Sequence, residues 1–419
     1  MKRNPKKTAG GAWPEKGLRQ LAAERNPYVD AFFEYAVLLL FAVTFLLAFR
    51  TNTAIPYTVL DQSIDLIRNM RIIVVLVVLA KVLWEKDWRL AEMLLGLLLF
   101  GALLRSWQHV PRWRLVDMAA LIIGAHNIRF TKILKVYLCV AVTALLAVMV
   151  LALTGVIENL VFYRAGRARI SFGMSYPTDF SAMVFFLISS WIWLREDRLT
   201  WWEIGGVAVL AALLYIFCEA RNTVMCLVLL VICLGALKLR RRQAERAGRT
   251  FRMSRWARIV CTWAMPVLAL AILALSYGYN SESGLMAFLN KLLSGRLALG
   301  RQAFETYAMS GFGQDVYMQG LGLTNGVVED YFFLDSSYVN ILFCYGIVTL
   351  EALMLNLFLA GLRERKNGAW VHLGLLAVIA LQCMFEHHLM DISMHPFMLL
   401  PFAASGPSLW ELGETETRE

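Results

Sequence analysis

Two kinds of residue in this 419-residue chain have the chemistry of a reaction centre: arginines, and carboxylates or histidines that sit at the ends of apolar runs. The arginines stand in three short segments. They are Arg164-Ala165-Gly166-Arg167-Ala168-Arg169, then Glu219-Ala220-Arg221-Asn222-Thr223, then Ser294-Gly295-Arg296 with Arg301. Planar guanidinium groups pair bidentately with phosphate oxygens, so several on one surface describe a seat for an anionic, phosphate-bearing ligand. A single arginine at a span end more often snorkels to headgroup phosphates and anchors its helix. Arg221 stands apart, because its turn is only a few residues long and lies between two apolar runs.

For proton transfer the candidates are Asp335, Glu386, His387, His388, Asp391 and His395. Asp335 sits just above the start of an apolar run, where partial desolvation raises a carboxylate pKa towards values useful to a base. No metal site is expected. Neighbours on a helix point about 100° apart, so His387 and His388 make a poor bidentate pair, and no spacing resembles a zinc helix. The seven cysteines, at 139, 218, 226, 233, 261, 344 and 383, lie in or beside apolar runs. They form no metal-ligand spacing and no disulfide framework.

The elements that must position these groups are membrane helices. Hydrophobic residues make up 59% of the chain and its mean hydropathy is +0.57, against roughly 45–50% apolar for soluble domains. Apolar stretches long enough to cross the roughly 30 Å hydrocarbon layer recur throughout, and none alternates as a barrel strand does. The class is all-α: a polytopic bundle of about twelve transmembrane helices. The spans fall near 30–49, 63–83, 88–105, 113–128, 135–157, 179–194, 199–218, 222–238, 257–279, 338–361, 370–386 and 391–406. The fourth, with Asp117 and His126, and the last, around His387 to Pro396, are the least regular. Residues 1–27 read as a basic cytoplasmic tail, 28–279 as helices one to nine, 280–337 as a large outer loop, 338–406 as helices ten to twelve and 407–419 as a second cytoplasmic tail.

Orientation follows from charge. With the N-terminus in the cytoplasm, about 28 of the 41 Lys and Arg residues fall inside, including the run from Lys238 to Arg258; the reverse orientation would translocate that run, against the positive-inside rule. The net charge of +10 is thereby explained without a nucleic-acid partner. All three arginine segments and the Glu386–His388 cluster then lie on the outer face, over a loop whose stretch Ser283–Met309 has the apolar spacing of one or two amphipathic interfacial helices. Glycines at 311, 313, 320, 322 and 326 break the remainder into tight turns that permit close backbone approach to a ligand. No internal repeat is evident, so nothing points to the inverted halves of secondary transporters.

In the second half of the chain, roughly Arg164 to Pro401, the motifs resemble the O-antigen polymerase and ligase superfamily. The match runs through Ser294-Gly295-Arg296, Gly311-Phe312-Gly313 and Asp335-Ser336-Ser337-Tyr338 to Tyr345-Gly346, with Arg221 and Arg169 in two further outer segments. The chain departs from the family at two places. Asp335 stands where the ligases have His, which favours a polymerase, and Thr178 stands where Asn is commoner.

The resemblance implies a bacterial cytoplasmic-membrane glycosyltransferase of the glycosyltransferase-C style, inverting and independent of metal or other cofactor, with its active face outside. The implied substrate is an oligosaccharide repeat unit on undecaprenyl diphosphate. The implied company is membrane lipid, a chain-length regulator and a flippase. By the same implication Arg221 and Arg296, together with Arg169, hold the diphosphate; Asp335, or failing it Glu386 or a neighbouring His, takes the acceptor proton; and Arg169, Arg301, Tyr338, Glu386, His387 and His388 line the substrate. Competing readings are a ligase acting on a lipid or protein acceptor, a lipid-linked-sugar flippase and an assembly scaffold. The flippase needs charges buried in mid-span and broken helices.

Overall fold

The computed structural model describes residues 26–49, 72–85, 87–109, 114–164, 166–321, 328 and 330–405. The two expected tails lie outside the described residues, apart from Asn26 and Pro27, as do the start of the second expected span, Gly322 and Gly326.

Among the described residues, seven helices are long and apolar enough to cross a membrane. They are α1 (Pro27–Ala48), α3 (Leu90–His109), α5 (Phe130–Leu153), α6 (Pro177–Arg195), α7 (Trp201–Cys218), α8 (Arg221–Arg246) and α9 (Arg255–Tyr277). Shorter helices α2 (Ile72–Trp84) and α4 (Arg114–Gly124) interleave with them. The starts are written locally. Asn26 accepts the Tyr28 N–H at the head of α1, Pro177 occupies the first turn of α6, and Thr200 with Glu203 forms a complete capping box on α7. Large apolar side chains such as Leu83, Trp202, Ile216, Val260 and Leu270 stand exposed on the rim, a pattern suited to lipid rather than water. α6 is the most buried of the seven. The chain is a multi-pass α-helical membrane protein.

Four features depart from the sequence expectation. A two-stranded antiparallel hairpin, β1 (Val161–Arg164) and β2 (Arg167–Ile170), follows α5 and pairs Phe162 with Arg169. The stretch after α9 contains two helices, α10 (Gly284–Leu292) and α11 (Arg296–Thr306), but only α10 lies on the surface, with no buried residue and with Leu285, Phe288 and Leu292 exposed along one face. α11 instead buries Arg296, Leu297, Gly300 and Ala303. The expected single span over 338–361 is broken into α12 (Ser337–Tyr345) and α13 (Ile347–Lys366) at Gly346.

The last expected span, 391–406, is not a helix. After α14 (Trp370–Phe385) the chain passes through two 3-10 turns, His388–Met390 and Phe397–Leu399, in a buried, irregular path. Its apolar composition signals burial, and burial in protein rather than lipid is what permits irregular backbone. The far end is held by Arg363, which donates to Leu400 O at 2.8 Å and to Ala403 O at 3.1 Å. Ala404 there bonds Ile128 O, and Phe130 bonds Ala404 O. Tyr137 Oη donates to Met394 O at 2.5 Å on the way.

The glycine turn at 311–313 has a structural use. Ile347 N donates to Ser310 O and Val348 N to Gly311 O, at 3.0 and 3.1 Å, so the turn docks on the α12–α13 break. Gly313 and Gly346 have φ of +93° and +91°, and a Cβ on either would stand 2.3 or 2.4 Å from a backbone oxygen. Close approach is real here, but to another backbone segment and not to a ligand. Gly346→Ala is expected to destabilise the fold by at least about 1 kcal/mol through strain alone, with the collision added. A lowered thermal midpoint and reduced monodisperse yield in detergent would record it; wild-type stability would refute this packing.

Candidate functional site

Arg296 opens α11, directly after Ser294 and Gly295, both in left-handed conformation at φ +56° and +89°. Asn290 Oδ1 caps the helix by accepting the Leu297 and Ala298 N–H groups, each at 3.1 Å. This corner turns Arg296 into the bundle, where it is 8% exposed. Its Nε donates to Phe385 O at 2.6 Å and its Nη1 to Leu293 O at 3.3 Å. Its Nη2 lies 3.5 Å from Glu386 Oε1 and 3.7 Å from Asp335 Oδ2. Both ion-pair distances exceed those of a good charge-assisted hydrogen bond, so neither carboxylate holds the Nη2 group tightly.

The Asp335-Ser336-Ser337 run brings the second half of the site. Ser337 Oγ donates to Glu386 O at 2.5 Å and accepts the Leu389 N–H at 3.1 Å, pinning the chain on both sides of His387 and His388. Asp335 keeps 22% of its side-chain surface exposed, whereas Glu386 keeps 3%. Burial pushes the Asp335 carboxyl above its ordinary range, and the Arg296 and Arg169 guanidiniums pull it back down. Tyr331 stands close by, its phenol pushed up by burial and by the Asp335 charge.

Arg169, from β2, is 5% exposed. Its Nε donates to Cys218 O at 3.1 Å and its Nη1 to Tyr176 Oη at 3.0 Å, while its guanidinium lies 5.2 Å from the Tyr176 ring centroid. It acts electrostatically on both Asp335 and Glu386. Asp179, in the first turn of α6, closes the ring, with Oδ1 3.6 Å from His388 Nε2. A cavity of about 320 Å³ adjoins, lined by Leu115, Met118, Asn340, Tyr345, His387 and Asp391 among others.

Of the sequence candidates, the structure gathers Arg296, Asp335, Glu386, Arg169, His387 and His388. Three others stand elsewhere. Arg221 pairs with Glu219, whose backbone is left-handed at φ +48°, and its own side chain is 52% exposed. Arg301 bonds Glu305 Oε1 at 2.7 Å and Tyr277 O, facing a separate open groove with Gln302. Tyr338 is wholly buried, donating to Ala380 O at 2.8 Å, and is a tether between helices and not a substrate contact.

The premise about the histidines also fails, since α14 ends at Phe385. His387 and His388 sit in a turn with ring centroids 4.1 Å apart, not 100° apart on a helix. Tyr176 and Asp179 belong to the outer segment Ser175-Tyr176-Pro177-Thr178-Asp179 that follows Arg169 in the sequence, which gave neither a role; Tyr331 was missed. Asp179, directly after Pro177-Thr178 at a helix start, carried a readable signal; Tyr331 carried none.

No protein-family model, no curated protein and no solved structure matches the chain. The family resemblance therefore rests on the motifs.

Tyr338→Phe is expected to lower stability by about 0.5–1.5 kcal/mol, the value of one hydrogen bond, and to leave ligand-dependent activity intact. Parallel thermal-melt and activity measurements decide this; activity lost at full stability would restore Tyr338 to the site.

Proposed function

We propose that the protein is a polysaccharide polymerase, joining oligosaccharide repeat units carried on undecaprenyl diphosphate at the outer face of a bacterial cytoplasmic membrane. The observation that carries the reading is the buried corner where Arg296, with Arg169 close by, meets the carboxylates Asp335 and Glu386. Motif order adds to it: Ser294-Gly295-Arg296, Gly311-Phe312-Gly313 and Asp335-Ser336-Ser337-Tyr338 stand as in the O-antigen polymerase and ligase superfamily.

In this reaction a hydroxyl oxygen of the acceptor sugar attacks the anomeric carbon of the donor. The new glycosidic bond forms as the bond to the lipid diphosphate breaks, with inversion, and undecaprenyl diphosphate leaves with the electron pair. Asp335, the more exposed carboxylate, takes the hydroxyl proton. Arg296 and Arg169 stabilise the charge that builds on the leaving diphosphate, which fixed cations in a poorly hydrated site do well. Arg221, at the neighbouring turn, sits where the diphosphate enters. Glu386 holds Arg296 in place between turnovers.

Arg296→Ala is expected to abolish polymer while membrane insertion persists, and single repeat units on the lipid carrier accumulate. Polymer of wild-type length in that variant would sink the assignment. Accumulated long chains in a deletion strain would instead indicate a ligase. A second expectation concerns pH. The base works only deprotonated, and the Asp335 carboxyl titrates above the ordinary value of about 3.9. Transfer by purified protein should therefore fall on acidification with a midpoint above that value. A rate flat from pH 4 to 7 (a range of about three units around ordinary carboxylates) would count against Asp335.

A further inference from the structure

We propose that Asp179, His387 and His388 form a binding site for one divalent first-row transition-metal ion, of the zinc or manganese kind, beside the Arg296 corner. The three side chains each offer one ligand atom, and these atoms all lie within 4.8 Å of one another. One pair, Asp179 Oδ1 to His388 Nε2, is 3.6 Å apart. Two atoms each about 2.0–2.2 Å from a shared ion stand roughly 3.3 Å apart at a tetrahedral angle. The observed spacing needs only a small contraction there, and the His387 ligand atom lies within 4.8 Å of both.

The donor set selects the ion class. Two imidazole nitrogens with one carboxylate oxygen suit zinc, manganese or ferrous iron, whereas magnesium and calcium prefer oxygen alone. The site is also held in advance. Asp179 is fixed in the first turn of α6, behind Pro177. The histidine pair is pinned by Ser337 Oγ through Glu386 O before it and Leu389 N after it, and Phe333 packs edge-on against His387 at 4.9 Å. Such supports are what keep ligand side chains oriented.

Charge favours the ion as well. The carboxylates Asp179, Asp335 and Glu386 face the guanidiniums of Arg169 and Arg296. A divalent ion there adds positive charge beside Arg169 and Arg296, the sign a diphosphate requires. Three protein ligands leave coordination positions open, and the adjoining cavity beside His387 gives access to them. This last role rests on the transferase reading and departs from the metal-free chemistry that the family resemblance implies. The binding site itself does not depend on it.

The test uses full-length protein purified in detergent, stripped with chelator and dialysed against Zn²⁺ or Mn²⁺, with bound metal measured directly. The expected result is one ion per chain, with affinity weakened at least about tenfold in both Asp179→Asn and His388→Gln. His126→Gln, in a separate cluster, should bind as wild type does. His387→Gln provides a third variant should either of the first two fail to fold, as judged by elution profile and thermal midpoint. Absence of stoichiometric binding, or binding unchanged in every folded ligand variant, would overturn the proposal. Because no substrate is present, that failure leaves the transferase reading standing. Site-dependent binding by a chain that makes no polymer would support the metal site and count against the transferase.

Discussion

One buried guanidinium organises this protein. Arg296 reaches from the first turn of α11 to the C-terminal end of α14, the following glutamate and the carboxylate that precedes α12. Three parts of the chain that are far apart in sequence are thereby drawn to a single point. A buried cation costs several kcal/mol in lost hydration, and only well-placed carbonyls and carboxylates offset that loss. The arrangement is therefore demanding: Phe385 O, Leu293 O, Glu386 and Asp335 must all be present together. Of these contacts the Phe385 carbonyl is the tightest at 2.6 Å, and the two carboxylates stand farther off at 3.5 and 3.7 Å.

The segment after α14 is the second constraint. From Glu386 to Ala404 the backbone runs through the bundle without regular helical bonding, so its polar groups must be met by other parts of the protein. Ser337 meets them at the Arg296 end, Tyr137 in the middle, and Arg363 with the Ile128–Phe130 turn at the far end. Arg363 is supported by Glu364, which also receives Ser405 Oγ at 2.6 Å and pairs with His372 at 3.0 Å. Both ends of the irregular path are thus clamped by a buried arginine with acidic partners. The rigidity this gives the His387–His388 turn is what allows two adjacent imidazoles to face the same space as Asp179.

Arginine identity and arginine role separate clearly in this molecule. Arg296 and Arg169 are buried and act on the same carboxylates, while Arg221 and Arg301 are partly exposed and already paired locally with glutamates. Exposed pairs of this kind contribute little to stability. Arg221 follows closely on Cys218, whose carbonyl Arg169 binds. Arg301 belongs to a different groove altogether.

What the amino-acid order determined alone is the one-dimensional content: seven of the twelve expected spans stand as long apolar helices among the described residues, with two short helices in the polar stretch and motif segments at their ends. Length, hydropathy and capping residues act locally, and a helix needs only its own backbone to satisfy its polar groups in lipid. Tertiary structure decided everything that depended on partners. An apolar run at 391–406 looks the same whether it faces lipid or protein, and only the neighbours Tyr137 and Arg363 make it an irregular buried path. Gly346 reads as a helix residue until the 311–313 turn is seen docked against it. Asp179, Tyr176 and Tyr331 join Arg296 across long sequence separations, and no local pattern encodes that meeting. Tyr338 and Arg301 carried the right chemistry at motif positions, yet burial on a helix face and a turn of α11 sent them elsewhere. Side-chain direction is set by packing, and packing is a property of the whole bundle.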